Sequence, residues 1–388
     1  VSVGGYDEKI DAAKLNDPKG GGLSALEKFM EPTIIVIPDA ILLDENDCYS
    51  LQAAMLQHCG YKLKNRFAIL DVYEGAKERT FDDDDAIDKF RNGVGSNFLQ
   101  WGASYYPFLN TTIVSKSEID FTRIANLDGL SEVLSKEVAE NLEADNITAA
   151  RAEGITAEID KIPDTTEADA INSLNSTLTV ISPSLNLILA EVSEMLNVLP
   201  PSPAMAGAYA MVDNQASVAQ SPANISLGSV IAPVVNINND NQEELNLPLN
   251  GKAVNAIRTF QGKGVLVWGA RTLEGNSKDY RYVSVRRTMT FLEQSIKAAA
   301  EAFVFAPNNA TTWSTLRATV SSFLTNQWQS GLLAGQSADD AFTVDIGLGA
   351  TMTPNDILDG ILKMTVKVAI TRPAEFIVIT FEQQQQKS

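Results

Sequence analysis

Histidine is almost missing from this chain: His58 is the single one in 388 residues. A Ser-His-Asp or Cys-His site would have to use it. It sits beside Cys59 in a stretch with helical spacing, and adjacent helical residues do not face each other. Cysteine is nearly as scarce, with Cys48 and Cys59 alone. One imidazole and two thiols fall short of the usual four-ligand zinc set. Two thiols are also too few for a disulfide framework, which favours assembly in a reducing compartment. Bases are in deficit, 30 Lys and Arg against 49 Asp and Glu, for a net charge of −19. Such a chain repels phosphate backbones, which argues against nucleic-acid binding.

Other absences narrow the field further. No apolar run reaches the roughly 18 residues of a membrane span, so direct membrane insertion is not expected. The opening Val1-Ser2-Val3-Gly4-Gly5 carries neither the basic nor the apolar region of a signal peptide, and no initiator Met. Gly262-Lys263-Gly264 lacks the rest of a phosphate-binding loop. Gly93-Val94-Gly95 lacks the third glycine of a dinucleotide fingerprint. The acidic run Asp82-Asp83-Asp84-Asp85 lacks the spacing of a calcium loop and reads as a solvated helix start. No catalytic residue, cofactor or metal is expected from these patterns.

What is present is periodic. The segments 33–38 and 67–72 are short β-branched or apolar runs, and 46–59 and 81–90 have helical spacing, which together make an α/β unit. Residues 117–199 differ in kind. Leu127, Leu130, Leu134, Val138 and Leu142 form one helical stripe, and Ile171 to Leu196 continue the pattern until Pro200-Pro201. This block predicts a helical hairpin or small bundle inserted in a mixed α/β protein. After it, 253–260 and 264–268 predict strands around a Gly-x-Gly bend. Helices are predicted over 286–305 and 311–331, the second with Gly331 near its C-cap. Met364, Val366, Val368 and Ile370 alternate with polar neighbours, the period of a half-buried strand. The expected division is an N-terminal α/β part at 1–116, the helical insertion at 117–199, a core domain at 200–374 and an arm at 375–388.

Two features concern contacts. Arg286-Arg287 fall at the predicted start of a helix, where cations oppose the helix dipole by roughly 0.3–1 kcal/mol each. Either an intramolecular carboxylate such as Glu293 offsets this, or an acidic partner surface does. The second feature is the terminal run Glu375, Phe376, Ile377, Val378, Ile379, Thr380, Phe381, Glu382, apolar on both faces. It is either a central strand of its own domain or a strand that pairs with another subunit by β-augmentation, since an exposed apolar edge invites other chains.

Several stretches resemble contractile tail sheath proteins. They are Trp101-Gly102-Ala103-Ser104-Tyr105-Tyr106-Pro107, residues 200–214 with Ser221-Pro222-Ala223-Asn224, Val254-Asn255-Ala256-Ile257-Arg258, Gly264 to Leu273, Tyr280 to Arg287, and Thr371-Arg372-Pro373-Ala374-Glu375-Phe376 onward to Phe381. The resemblance covers roughly residues 30 to 388 and is strongest after residue 200, in the manner of extracellular contractile injection systems. It implies a C-terminal domain with a mixed sheet flanked by helices, and a structural subunit rather than an enzyme. It further implies a helical homo-oligomer of stacked rings around an inner tube, with baseplate and tail-terminator partners. Contraction would drive the tube through a target envelope. Assembly would take place in a bacterial cytoplasm, into a phage-tail-like particle that is released or membrane-anchored. Arg286 and Arg287 become candidate tube or subunit contacts, and 375–382 the inter-subunit arm. The family's N-terminal arm, with its Pro-Gly-Val-Tyr-like segment, is not found here, so that portion is expected to be absent. Position 256 is Ala where many relatives carry Pro, and 117–199 is a decoration longer than in minimal sheath proteins, placed on the outer surface by analogy. The rival classes are an α/β enzyme and a capsid or surface-layer lattice protein.

Overall fold

The computed structural model describes residue 3 and residues 9–376. Two compact units divide the chain: one takes Val1–Pro107, Pro200–Gly228 and Val235–Ser388, the other Phe108–Leu199 and Ser229–Val234.

The first unit is built on a mixed six-stranded sheet. Its order is Ile34–Val36, Phe67–Asp71, Gly102–Tyr106, Asn255–Phe260, Gly264–Trp268 and Ile225–Ser226. The first four strands are parallel. The 255–260 and 264–268 strands form an antiparallel hairpin in which Phe260 pairs with Gly264. All five residues of Phe67–Asp71 and of Gly102–Tyr106 are buried. Central parallel strands are covered on both faces, so they read as apolar runs rather than alternations.

The flanking helices refine the predicted ones. The helix predicted over 46–59 runs from Glu45 to Gln57 and then widens into a π-helical turn, His58–Leu63. Gly60 lies in that turn, where an added Cβ would stand 2.7 Å from the rings of Phe98 and Trp101. The helix predicted from Phe81 begins only at Ala86. The acidic run therefore precedes the helix rather than filling its first turn. Asp85 is the N-cap, accepting from the Ile87 and Asp88 N–H groups at 2.9 and 3.1 Å.

Further along the same unit, the helices Val283–Glu301 and Ala310–Gln329 pack with a two-stranded antiparallel sheet, Phe342–Ile346 and Met364–Val368. Met364, Val366 and Val368 pack toward Leu316, Val320 and Leu324, while Thr365 and Lys367 are exposed, as the period of two predicts. Gly331 has φ +82°. Its N–H reaches the Trp328 carbonyl at 2.9 Å, and the Leu332 N–H reaches Gln327 at 3.0 Å. These two bonds close the helix in a Schellman motif.

The second unit holds four helices: Leu127–Glu143, Ala149–Ile159, Ala168–Ile181 and Pro183–Leu196. A small antiparallel sheet, ordered Val198–Leu199, Leu109–Thr111, Val230–Pro233, belongs to it. The segment 117–199 lies inside this unit, which also takes in residues 108–116 and 229–234. Leu130, Leu134, Val138, Leu174, Leu178, Leu185 and Leu189 form its core. The run from Ile171 to Leu196 is two helices, not one. Pro183 cannot donate the hydrogen bond that would continue the first helix. Ser182 caps the second, accepting from the Leu185 N–H at 3.1 Å.

Candidate functional site

Glu375, the first residue of the predicted arm, lies in a built polar site. Glu375 receives the Arg271 guanidinium side-on, Nε to Oε1 at 2.8 Å and Nη2 to Oε2 at 2.6 Å. Asn246 Nδ2 donates to Oε1 at 2.8 Å, and the Tyr282 hydroxyl donates to Oε2 at 2.9 Å. Burial alone would raise the Glu375 carboxyl, but these donors, Arg271 foremost, hold it below the usual carboxylate range. Arg271 is 1% exposed. Its remaining Nη1 donates to the Asn246 and Gly275 carbonyls at 3.2 Å each. Removing one partner of such a buried pair costs on the order of 3–5 kcal/mol, because the other charge is left unpaired.

Two lighter attachments precede Glu375. The Thr371 N–H donates to the Leu332 carbonyl at 3.1 Å and its hydroxyl to Gly331 at 2.9 Å. Arg372 donates to the Lys278 carbonyl at 2.6 Å. Phe376 is 65% exposed. Of the predicted arm, Glu375 and Phe376 are thus placed. Ile377, Val378, Ile379, Thr380, Phe381 and Glu382 lie outside the described residues.

The chain reaches this site from the Met364–Val368 strand. Among the described residues, that strand and Phe342–Ile346 pair only with each other as a sheet. A lone two-stranded sheet is marginal in water and leaves a row of backbone donors and acceptors on each edge. Here one face rests on the helices Val283–Glu301 and Ala310–Gln329, which keeps the pair in place.

Arg286 and Arg287 both have carboxylate partners within the chain. The helix starts at Val283, so Arg286 is its fourth residue and its N–H is satisfied by the Tyr282 carbonyl at 3.1 Å. Arg286 is 4% exposed, pairs with Glu293 at 3.2 Å and lies 4.2 Å from the Trp101 ring centroid. Arg287 is 8% exposed and bidentate to Asp213, at 2.8 and 2.5 Å. Each guanidinium is thus buried and paired to a carboxylate of the same chain. The intramolecular alternative, Glu293, is what Arg286 uses.

The other groups flagged by chemistry are also engaged inside the fold. His58 Nε2 lies 3.0 Å from Arg66 Nη1, which can only donate, so the imidazole accepts there. Desolvation and the Arg66 charge push its pKa down to about 4. Cys48 and Cys59 are buried and unpaired to each other, and burial pushes both thiols up to about 12. Asp82, Asp83 and Asp84 are exposed, but Asp85 is fully buried. Beside its two capping bonds, Asp85 accepts from the Thr80 and Phe81 N–H groups at 3.0 Å each and from Arg79 Nε at 2.7 and 2.9 Å. The solvated reading therefore fails for this one residue of the four. No group of three or more metal-type ligands occurs among the described residues.

The partners of Glu375 escaped sequence reasoning. Arg271 and Tyr282 stand 104 and 93 residues away, and neither helical nor strand periodicity links positions so distant. The one available signal is that both fall within stretches that resemble the sheath family.

Comparison with known proteins agrees with this architecture. Residues 276–384 match the family model described as the phage tail sheath C-terminal domain. No curated protein is matched. The chain is similar to the PVC sheath complex of an extracellular contractile injection system in its contracted state, at 28% identity and TM-score 0.61, over 94% of this chain and 75% of that one. It is similar to the helical sheath of the anti-feeding prophage in its contracted state, at 26% identity and TM-score 0.60, over 96% and 76%. A chain of the contracted anti-feeding prophage baseplate shares the fold at 24% identity and TM-score 0.66, over 95% and 74%. Residues 276–384 thus match the sheath C-terminal domain, and nearly the whole chain is similar to sheath chains of contractile injection systems.

Proposed function

We propose that this chain polymerises helically around an inner tube and contracts to drive that tube through a target envelope, its C-terminal arm adding a strand to a neighbouring subunit. The observation that carries the reading is the two-stranded sheet Phe342–Ile346 and Met364–Val368, which no third strand joins among the described residues. An extended strand from a second copy would complete it. Each added backbone hydrogen bond contributes about 0.5–1.5 kcal/mol net. One arm is then a modest link, and a lattice of arms is a strong one.

The chemistry of contraction needs no fuel in this reading. Contacts between subunits rearrange between two packings while the arms keep the copies linked, a bistable-interface transition. A few kcal/mol per subunit suffices, since it is summed over many subunits. The chain acts as a structural protein and not as an enzyme, with an inner-tube protein, a baseplate and a tail terminator as partners. Assembly in a bacterial cytoplasm fits the two unpaired, reduced thiols. Electron microscopy of the purified chain, alone and with its tube protein, tests the reading. Hollow helical cylinders are expected. Monodisperse monomers under both conditions would contradict it.

A further inference from the structure

We propose that the Arg271–Glu375 pair is the anchor of the C-terminal arm, fixing the point at which the arm leaves the subunit and passing any pull on it into the central sheet. This rests on the reading of 375–388 as an inter-subunit arm, and it adds where that arm is held and by what.

The geometry sets Glu375 apart from every other attachment of the segment. Thr371 and Arg372 are exposed and bond to loop carbonyls. Glu375 has four donors on its two oxygens, from three side chains on different segments. Charge-assisted, bidentate bonds of this kind are about twice as strong as neutral ones and fix direction as well as distance.

What lies behind Arg271 matters as much. Its N–H donates to Asn255 Oδ1 at 2.7 Å, and Asn255 Nδ2 donates back to the Arg271 carbonyl at 2.8 Å. The same Nδ2 donates to the Ser104 carbonyl at 3.1 Å. Asn255 is 1% exposed and begins a central strand, where it pairs with Tyr105 of the neighbouring parallel strand. A continuous line of short bonds therefore runs from the arm root, through Arg271 and Asn255, to the buried Gly102–Tyr106 strand and the buried start of Asn255–Phe260. Pull arriving at Glu375 meets the best-buried part of the sheet rather than the small sheet that precedes it.

The anchor also sets a length. If Glu375 let go together with the single Arg372 side-chain bond, the chain would be held at Thr371, four residues earlier. Four residues span up to about 13 Å when extended. Release would lengthen the linker between subunits by that amount, and with it the spacing that a lattice of arms can hold. A fixed anchor keeps one linker length through a change of packing.

The test uses the full chain with Glu375→Gln, which keeps the size and one acceptor but removes the charge, and Arg271→Lys, which keeps the charge but removes the fork. Hydrogen exchange on isolated subunits reads the amides of residues 371, 372 and 374–376, and electron microscopy reads cylinder length and diameter. We expect at least tenfold faster exchange at the root in E375Q, unchanged exchange in the central strands, and short or irregular cylinders. Arg271→Lys should fall between E375Q and the unmodified chain in both readouts. Unchanged root exchange in E375Q would overturn the anchor. So would a loosened root with cylinders of normal length and diameter. Failure of the unmodified chain to form cylinders would instead remove the arm reading, and the inference with it.

Discussion

The two compact units bury different kinds of side chain. In the helical unit the core is Leu, Ile and Val with Phe121 and Ala152, and the buried polar residues are neutral: Thr111, Ser182, Ser193 and Asn197. In the sheet-bearing unit the interior holds Arg66, Asp71, Asp85, Arg91, Arg271, Arg286 and Arg287. Apolar burial is non-directional and tolerates rearrangement, whereas a buried charge needs one particular partner in one particular place. The helical unit is therefore specified by a pattern. The sheet unit is specified by pairs, and the arm root is one of them. That arrangement suits the proposed subunit, whose linkages would keep their geometry while its packing with neighbours changes.

The contrast can be broken most forcefully in the helical core. Leu178 is fully buried there. Leu178→Ala should cost about 2–5 kcal/mol, read as a lower denaturation midpoint of a transition that reports residues 127–196. Hydrogen exchange at residues 371–376 should stay as in the parent chain. Loss of protection at both places together would show that the two units are not specified separately.

An effect spread over pH sharpens the sheet unit's dependence on charge. Asp71 ends a central strand, fully buried, and accepts from the Ser202 N–H at 2.8 Å and hydroxyl at 2.5 Å. Desolvation outweighs those bonds and pushes its pKa up from 3.8 to about 7. The folded state therefore holds a proton that the unfolded state has lost between these two values. Stability should fall as pH rises through that window, by up to about 1.4 kcal/mol per unit, and level off above it. Asp71→Asn should remove that slope, seen as urea midpoints that diverge from the parent chain between pH 4.5 and 7. Parallel curves would contradict the assignment.

The smallest change is at a helix end. Gly331 has φ +82° with open space where a Cβ would stand, so Gly331→Ala meets strain and no clash. A loss of about 1 kcal/mol in thermal or denaturant unfolding is expected. A loss beyond about 3 kcal/mol would mean that this turn packs against more than the Schellman bonds.

The same contrast explains what was legible. Leu130, Leu134, Val138 and Leu174 announce their helices through spacing, and Met364, Val366 and Val368 announce a strand through alternation. The Gly331 C-cap was legible because the turn demands a conformation that other residues resist. The two-helix break at Ser182-Pro183 was overlooked because the apolar spacing runs on through it, although the proline was in plain view. The late start of the 86–93 helix was missed because a run of Asp looks alike whether it fills the first turn or precedes it. Arg286 and Arg287 were drawn toward a partner by their place near a helix start. Packing of Arg286 over the Trp101 ring and of Arg287 over the Tyr209 ring, 4.2 and 5.1 Å from the centroids, is a long-range fact that no local pattern carries. The Glu375 anchor was illegible for the same reason, with Arg271 about a hundred residues away.

Removal of the arm tests the central claim most directly. A chain ending at Ala374 should remain a soluble, folded subunit, with the circular dichroism of the full chain, and should fail to form long cylinders under conditions where the full chain does. Cylinders of normal length and diameter from the truncated chain would contradict the account.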